Sequence, residues 1–157
     1  YGDWSSNVCS SDLTCIFDLN GHNQTLAGLA SVTGLTLRSQ RVVNSSATDA
    51  TLTLTENAIR SFGGVVGWSG SIAGSGGITT TPNISVVMNG SGTCIFAGNN
   101  QYSGSTTITA GTLRVGDGGV VGVLGGSGGI ANAGTLAFNR ADAITLSRGI
   151  TGTGSLL

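Results

Sequence analysis

The side chains that could carry acid–base or nucleophilic chemistry are few in this 157-residue sequence. The single histidine, His22, sits in the polar stretch Asn-Gly-His-Asn-Gln. A catalytic imidazole needs a nucleophile and an orienting acid beside it in space. The turn-like composition around His22 instead favours a solvated position. We predict that His22 is not catalytic.

Carboxylates are equally sparse. Glycoside hydrolysis needs two facing carboxylates, and a β-helix lyase would gather acidic ligands and a basic residue on one outer face. The sequence has no lysine, and outside residues 1–13 its acidic residues never occur as a close pair: Asp18, Asp49, Glu56, Asp117 and Asp142. We therefore predict no catalytic residues and no enzyme, with a carbohydrate-active β-helix enzyme fragment as the alternative.

Two glycine-rich stretches resemble ligand-binding motifs. Residues 126–131 match G-x-G-x-x-[GA], but a phosphate-binding version must lead into a helix, and the following residues NAGTLAF indicate a turn and a strand. Residues 116–119, GDGG, lack the nonapeptide repeat of calcium-binding β-rolls. The sequence therefore predicts no cofactor-binding and no metal-binding residues.

Aromatic and asparagine side chains offer weaker signals. Trp68 and Tyr102 could stack on sugars, yet no row of aromatics accompanies them, so we expect one to be a turn aromatic and the other a packing aromatic. Four asparagines head N-x-[ST] triplets, a frequency near chance in so polar a chain: Asn23, Asn44, Asn83 and Asn89.

Composition excludes several partners and favours β-structure. Charged residues make up 8% and the net charge is −1, so no basic face exists for nucleic acid or an anionic membrane. No apolar run approaches the ~18 residues of a spanning helix. Glycine, serine, threonine and asparagine disfavour helix interiors. Threonine, valine and isoleucine between glycine and asparagine turns favour short strands.

The opening residues Tyr1–Leu13 fit nothing that follows. They lack the basic start and apolar run of a signal peptide. The stretch DWSSNVCSSDL closely resembles a translated sequencing adaptor, DWSSDVCSSDL. We interpret residues 1–13 as a non-native leader that packs poorly, and residues 14–157 as the remaining unit.

Residues 14–157 contain a repeated strand. Short segments that begin with glycine or alanine recur in steps of 20, 22, 19, 23 and 20 residues: ATLTL at 50, GSIAG at 70, GTCIF at 92, GTLRV at 111, GTLAF at 134 and GSLL at 154. Apolar residues alternate within them, as Leu113 and Val115 do around Arg114, which indicates one inward and one outward face. Shorter strands are predicted between them at 84–88, 105–109 and 143–147.

A period near 20 residues is too short for a propeller blade. It fits a right-handed parallel β-helix of about seven coils, each stacked ~4.8 Å from the next. An antiparallel β-sandwich is the alternative, because strand spacing alone does not separate the two folds.

Residues 90–116, GSGTCIFAGNNQYSGSTTITAGTLRVG, resemble the autotransporter-associated β-strand repeat. The matching positions include Gly92, Gly98, Asn100, Tyr102 and Gly111. The chain departs from that repeat at Cys94, Ile95 and Phe96, where the family has Leu-Thr-Leu, but apolar residues remain at both inward positions.

The resemblance implies a non-enzymatic passenger segment, extracellular or at the cell surface, acting as a stalk or an adhesive scaffold. Its ligand would be a glycan or a host-cell surface. A membrane barrel is implied only for a C-terminal part of the parent chain outside this sequence. We expect residues 14–157 to be truncated at both ends and to self-associate through open solenoid ends.

Two cysteines follow the leader, Cys15 and Cys94. We place them at equivalent positions about four coils apart, near 19 Å, beyond the ~7 Å Cα separation a disulfide allows. Both are predicted to be buried free thiols.

Overall fold

The structure is a computed structural model that describes residues 15–31, 40–67, 70–71, 79–80 and 83–157. Its regular elements in these residues are all strands. They are β1 Cys15–Asp18, β2 Gln24–Leu26, β3 Gln40–Val43, β4 Ala50–Leu54, β5 Ile59–Phe62, β6 Val65–Val66, β7 Gly70–Ser71, β8 Thr79–Thr80, β9 Ile84–Phe96, β10 Thr106–Val115, β11 Ile130–Asn132, β12 Thr135–Phe138, β13 Ile150–Thr151 and β14 Ser155–Leu156.

The strands pair in parallel ladders. The first ladder has six successive levels: β2, β4, the first half of β9, the first half of β10, β11 and β13. The second ladder contains β5, the second half of β9, the second half of β10, β12 and β14. The strands β9 and β10 therefore turn a corner and serve both ladders.

A third ladder contains β1, β3 and β6. It continues through irregular segments: the Gln101 N–H donates to the Val66 carbonyl, and Asn99 forms a parallel bridge with Val123. The chain visits the third, first and second ladders in that order and then returns. Among the described residues only β7 and β8 pair antiparallel. These registers are not those of an antiparallel β-sandwich.

Alternation along the strands builds the core. Leu113 and Val115 are at most 1% exposed, and their ladder partners Cys94 and Phe96 are fully buried. The next level adds Leu136 and Phe138 to the same two columns. Period-two burial is what an extended strand with one covered face requires. The predicted inward positions of the second ladder are confirmed.

Glycine marks the corner between the ladders. Gly111 has a φ of +70°, and a Cβ there would lie 2.2 Å from the Gly90 carbonyl oxygen of the preceding level. Gly92 faces the same contact, with a Cβ position 2.3 Å from the Ala58 carbonyl oxygen. The repeat therefore needs glycine here because successive backbones approach closely.

The uniform period is correct for the last four repeats and wrong for the first two. Thr93, Thr112, Thr135 and Ser155 occupy one position of the second ladder, as predicted. The segment at 50–54 instead lies in the first ladder, and residues 70–71 belong to the antiparallel pair. The residue that precedes Thr93 in its ladder is Ile59, 34 residues earlier. With these longer early connections, the described residues form six levels of the first ladder, where about seven coils were expected.

Two further expectations differ from the structure. Residues 143–147 are not a strand, and Ile150–Thr151 takes that place in the first ladder. Two arginines hold this region instead, as described below. Cys15 pairs with Gln40 in the third ladder while Cys94 lies in the second, so the two cysteines are not equivalent.

Candidate functional site

His22 lies in an exposed turn. The backbone N–H of His22 donates to the Leu19 carbonyl at 2.8 Å, and the preceding Asn20 and Gly21 both have positive φ. Asp18, at the other side of the turn, accepts hydrogen bonds from the N–H groups of Asn20 and Ser45. The imidazole side chain is in the solvated turn predicted for it.

Glu56 is a buried structural carboxylate. It is fully buried, and its Oε1 accepts a hydrogen bond from Arg60 Nε at 2.7 Å. Its Oε2 accepts the Leu29 N–H at 3.2 Å. A buried charge needs such a partner set. These contacts join Leu29 of one level to Glu56 and Arg60 of the next and give Glu56 a structural role.

Asp142 is likewise paired. Arg140 donates to both its carboxylate oxygens, at 2.8 Å each. The hydrogen bonds from Arg140 lower the pKa of Asp142. Arg140 also donates to the carbonyls of Val120 and Gly122, so the guanidinium ties residues 140–142 to the preceding level.

Arg148, like Arg140, uses its side chain to bond backbone carbonyls of the preceding level. Its guanidinium donates to the carbonyls of Leu124, Gly125 and Gly126. Those carbonyls belong to residues 124–126, and residues 143–147 just before Arg148 form no strand. The space between the two segments is a cavity of about 400 Å³. Its apolar lining includes Leu124, Phe138 and Leu146.

Tyr102 is a core residue and not a sugar platform. It is 1% exposed, and its hydroxyl lies 2.7 Å from Thr106 Oγ1, itself 1% exposed. Burial raises the pKa of the Tyr102 phenol well above its usual range. Tyr102 therefore has a packing role, as expected for one of the two aromatics, whereas Trp68 lies outside the described residues.

Three buried asparagines hold the corners, a role the sequence reasoning missed. Asn100 accepts the Val66 N–H and donates to the carbonyls of Gly98 and Val123. Asn44 bonds Thr48 and Asn83 carbonyls, and accepts the Gly21 N–H. Asn132 donates to the Ser155 carbonyl. Among the four N-x-[ST] asparagines, Asn44 is fully buried. The available signal was that Asn100 falls on a fixed position of the resembled repeat.

Cys94 is a free, fully buried thiol, as predicted. Burial, with a smaller contribution from the negative charge of Glu56, raises its pKa to about 12. The thiol is therefore a small apolar filler in the second ladder and a poor nucleophile. The side chain of Cys15 and the leader Tyr1–Leu13 lie outside the described residues.

The glycine-rich stretches have structural surroundings. Residues 126–131 run into β11 and then β12, so a strand follows, as predicted. Residues 116–119 form a turn in which the Gly118 N–H donates to the Asn139 carbonyl. Within the described ranges, no three His, Cys, Asp or Glu residues come together as metal ligands. The described part of the chain also has no helix of the length and hydropathy that a membrane crossing requires.

The match to a protein family falls on the centre of the ladders. Residues 86–115 match the family model of the passenger-associated-transport-repeat, so this part of the chain is similar to a passenger repeat. A 55-residue segment is 47% identical to a protein named Adhesin BmaC autotransporter, from Brucella suis biovar 1. The match covers 35% of this chain and 2% of that relative's length. No solved structure matches the chain.

Proposed function

We propose that the chain is a segment of an extracellular autotransporter passenger, folded as a right-handed parallel β-helix that serves as a non-enzymatic stalk or adhesive scaffold. One observation carries this proposal. The matched repeat, residues 86–115, contains two consecutive levels of the first and second ladders, β9 from Val86 onward and β10, and these two levels have a parallel neighbour on each side. A repeat of that kind builds a rod.

Side-chain chemistry supports a scaffold more than an enzyme. Glu56 and Asp142 are each paired with an arginine, and Asp18 bonds turn backbone. The outward positions of the strands carry residues such as Thr53, Thr107 and Ala131. An exterior of this kind suits display and contact with another surface, including a glycan-bearing or host-cell surface.

Surface display tests the proposal. The chain is inserted between a signal peptide and the translocation domain of an autotransporter in a Gram-negative host. We expect an epitope tag to be accessible on intact cells, and a ladder core to survive limited proteolysis there. Purified chain is expected to release no reducing ends from polysaccharides.

A matched control separates folding from export. The Gly111→Ala variant, in which a Cβ meets the Gly90 carbonyl, should reach the surface yet lose the protected core. Retention of the native chain inside the cell, or turnover of a polysaccharide, would refute the proposal. Adhesion to a glycan-bearing or host-cell surface is compared between beads coated with the native chain and beads coated with the Gly111→Ala variant.

A further inference from the structure

The outward face of the first ladder carries a straight column of small side chains. The pairing registers place one residue from each level in it: Thr25, Thr53, Val87, Thr107, Ala131 and Thr151. None of these six side chains is buried, whereas their neighbours within β4, β9, β10 and β11 are. Four of the six are threonine and five are β-branched, so nearly the same side chain repeats from level to level.

The hydroxyls of this column are available to solvent. Among the described residues, those of Thr25, Thr53 and Thr107 have no hydrogen-bond partner. β-branched side chains are restricted at χ1, and each strand of the ladder is held by its neighbours. Hydroxyl and methyl groups therefore stand at fixed places on a rigid sheet.

A second outward column makes the face two-dimensional. Thr51, two residues before Thr53, pairs with Ser85 of the next level, and the Ser105 N–H donates to Ser85 Oγ at 3.3 Å. Levels of a parallel ladder lie ~4.8 Å apart, and successive outward residues of one strand lie ~6.6 Å apart. The face is therefore a lattice of small polar and methyl groups with two regular repeats.

Charge, side-chain chemistry and area exclude other occupants of this face. The first-ladder segments of its strands contain no charged residue, and Asp49 comes directly before β4. Neither a nucleic acid nor an anionic membrane is therefore attracted to the face. None of the six column residues is aromatic, so no ring is available to stack on a sugar. Two columns over six levels cover roughly 300 Å², well below the ~800 Å² per partner of a stable protein interface.

We propose that this face binds ice. The spacing between levels is close to the repeat between oxygen atoms along the a axis of the ice lattice. Water held between the threonine methyl groups and bonded to the hydroxyls therefore takes positions that continue the crystal. An uncharged face complements this occupant, because the ice surface carries no net charge. The inference goes beyond the proposed scaffold role and depends on the first ladder alone.

Ice itself is the probe that tests the face. Fluorescently labelled native chain should be incorporated into a growing single ice crystal and should give thermal hysteresis in nanolitre osmometry. Thr53→Tyr with Thr107→Tyr places two large side chains in the column and should abolish both effects. Val87→Thr with Ala131→Thr completes the threonine column and should raise the thermal hysteresis above that of the native chain.

The matched control is Ile59→Tyr, which adds the same ring in the second ladder at a side chain that is 73% exposed. It should bind ice like the native chain. Exclusion of the native chain from ice, equal ice binding by the double tyrosine variant, or no gain from the completed column would overturn the inference.

One outcome would assign the face to a different occupant. If the native chain is excluded from ice and the double tyrosine variant loses bead adhesion, the face binds a cell surface and the ice inference is wrong. Slow amide exchange of the ladders in a chain excluded from ice would leave the β-helix proposal standing. Failure of surface display with ice binding retained would overturn the passenger proposal alone.

Discussion

Polar side chains in the interior and at the corners of this protein form hydrogen bonds with backbone groups. Asn100 satisfies three backbone groups at a corner where strand pairing is interrupted. Arg148 does the same for three carbonyls where residues 143–147 do not pair. Buried backbone groups must be paired, and irregular corners leave some without a strand partner. Side chains that look available for chemistry are used here for structure.

The Tyr102–Thr106 hydrogen bond gives the first prediction. Tyr102→Phe should lower the free energy of unfolding by about 1–3 kcal/mol, because it leaves the buried Thr106 hydroxyl without its 2.7 Å partner. Adding Thr106→Val should recover part of that loss, since both partners are then apolar. Denaturant unfolding of the four proteins measures the coupling. If the losses of unfolding free energy in the two single variants add up to the loss in the double variant, the hydrogen bond contributes nothing.

The second prediction concerns alkaline pH. The native thiol of Cys94 has a pKa of about 12, above the ~8.5 of an unfolded thiol. The unfolded state therefore loses its proton first, and stability falls as pH rises from about 9 toward 12. The slope from this group is at most ~1.4 kcal/mol per pH unit.

Cys94→Val is the matched variant, because it keeps an apolar side chain and removes the proton. Its free energy of unfolding should decline less steeply above pH 9 than that of the native chain. Identical slopes in the two proteins would contradict the assignment. Tyr102 titrates in the same direction, so the comparison is also made in a Tyr102→Phe background.

At the scale of elements, glycine at the corner fixes how closely two levels stack. Gly111→Ala should be destabilising by about 1–2 kcal/mol from its positive φ alone, with a further loss from the contact with Gly90. Gly149→Ala is the control, since a Cβ there meets nothing within 4 Å. Thermal melting should separate the two variants clearly. A Gly111→Ala protein as stable as Gly149→Ala would refute the close approach.

The strands of the second ladder could be predicted because local pattern and packing agree there. Leu113 and Val115 alternate with Arg114, and glycine and threonine mark each start. The first two levels could not be placed, because the 34-residue step from Ile59 to Thr93 is set by corner length, which leaves no periodic signal. The segment 143–147 has strand-like alternation but forms no strand, and the flanking Arg140 and Arg148 side chains bond carbonyls of the preceding level.

For the candidate site, the sequence predicts which side chains have structural roles better than it predicts their hydrogen-bond partners. The solvated turn at His22 and the packing of Tyr102 follow from composition and spacing. The contact of Glu56 with Leu29 does not, because Leu29 reaches the carboxylate from the preceding level of the stack, whereas Arg60 is only four residues along the chain. Contacts between levels depend on register, and register is fixed by the whole ladder.

At the scale of the whole molecule, stacked levels make stability close to a sum of repeats and their neighbours. Inserting a second copy of residues 91–110 should therefore add one level. We expect the maximum dimension in small-angle scattering to rise by about 5 Å, with an equal or higher melting temperature. A compact β-sandwich would instead be disrupted. Loss of cooperative unfolding in the extended chain would contradict stacking.

The long step between Val66 and Ile84 has a consequence for how such a chain can diversify. The strands on either side keep their ladder registers although this step is far longer than the corresponding step one level on, from Gln101 to Thr106. Extra residues can therefore be accommodated at a corner without a change in the ladder registers beside it. Related chains can vary the length of such corners while inheriting one unaltered interior.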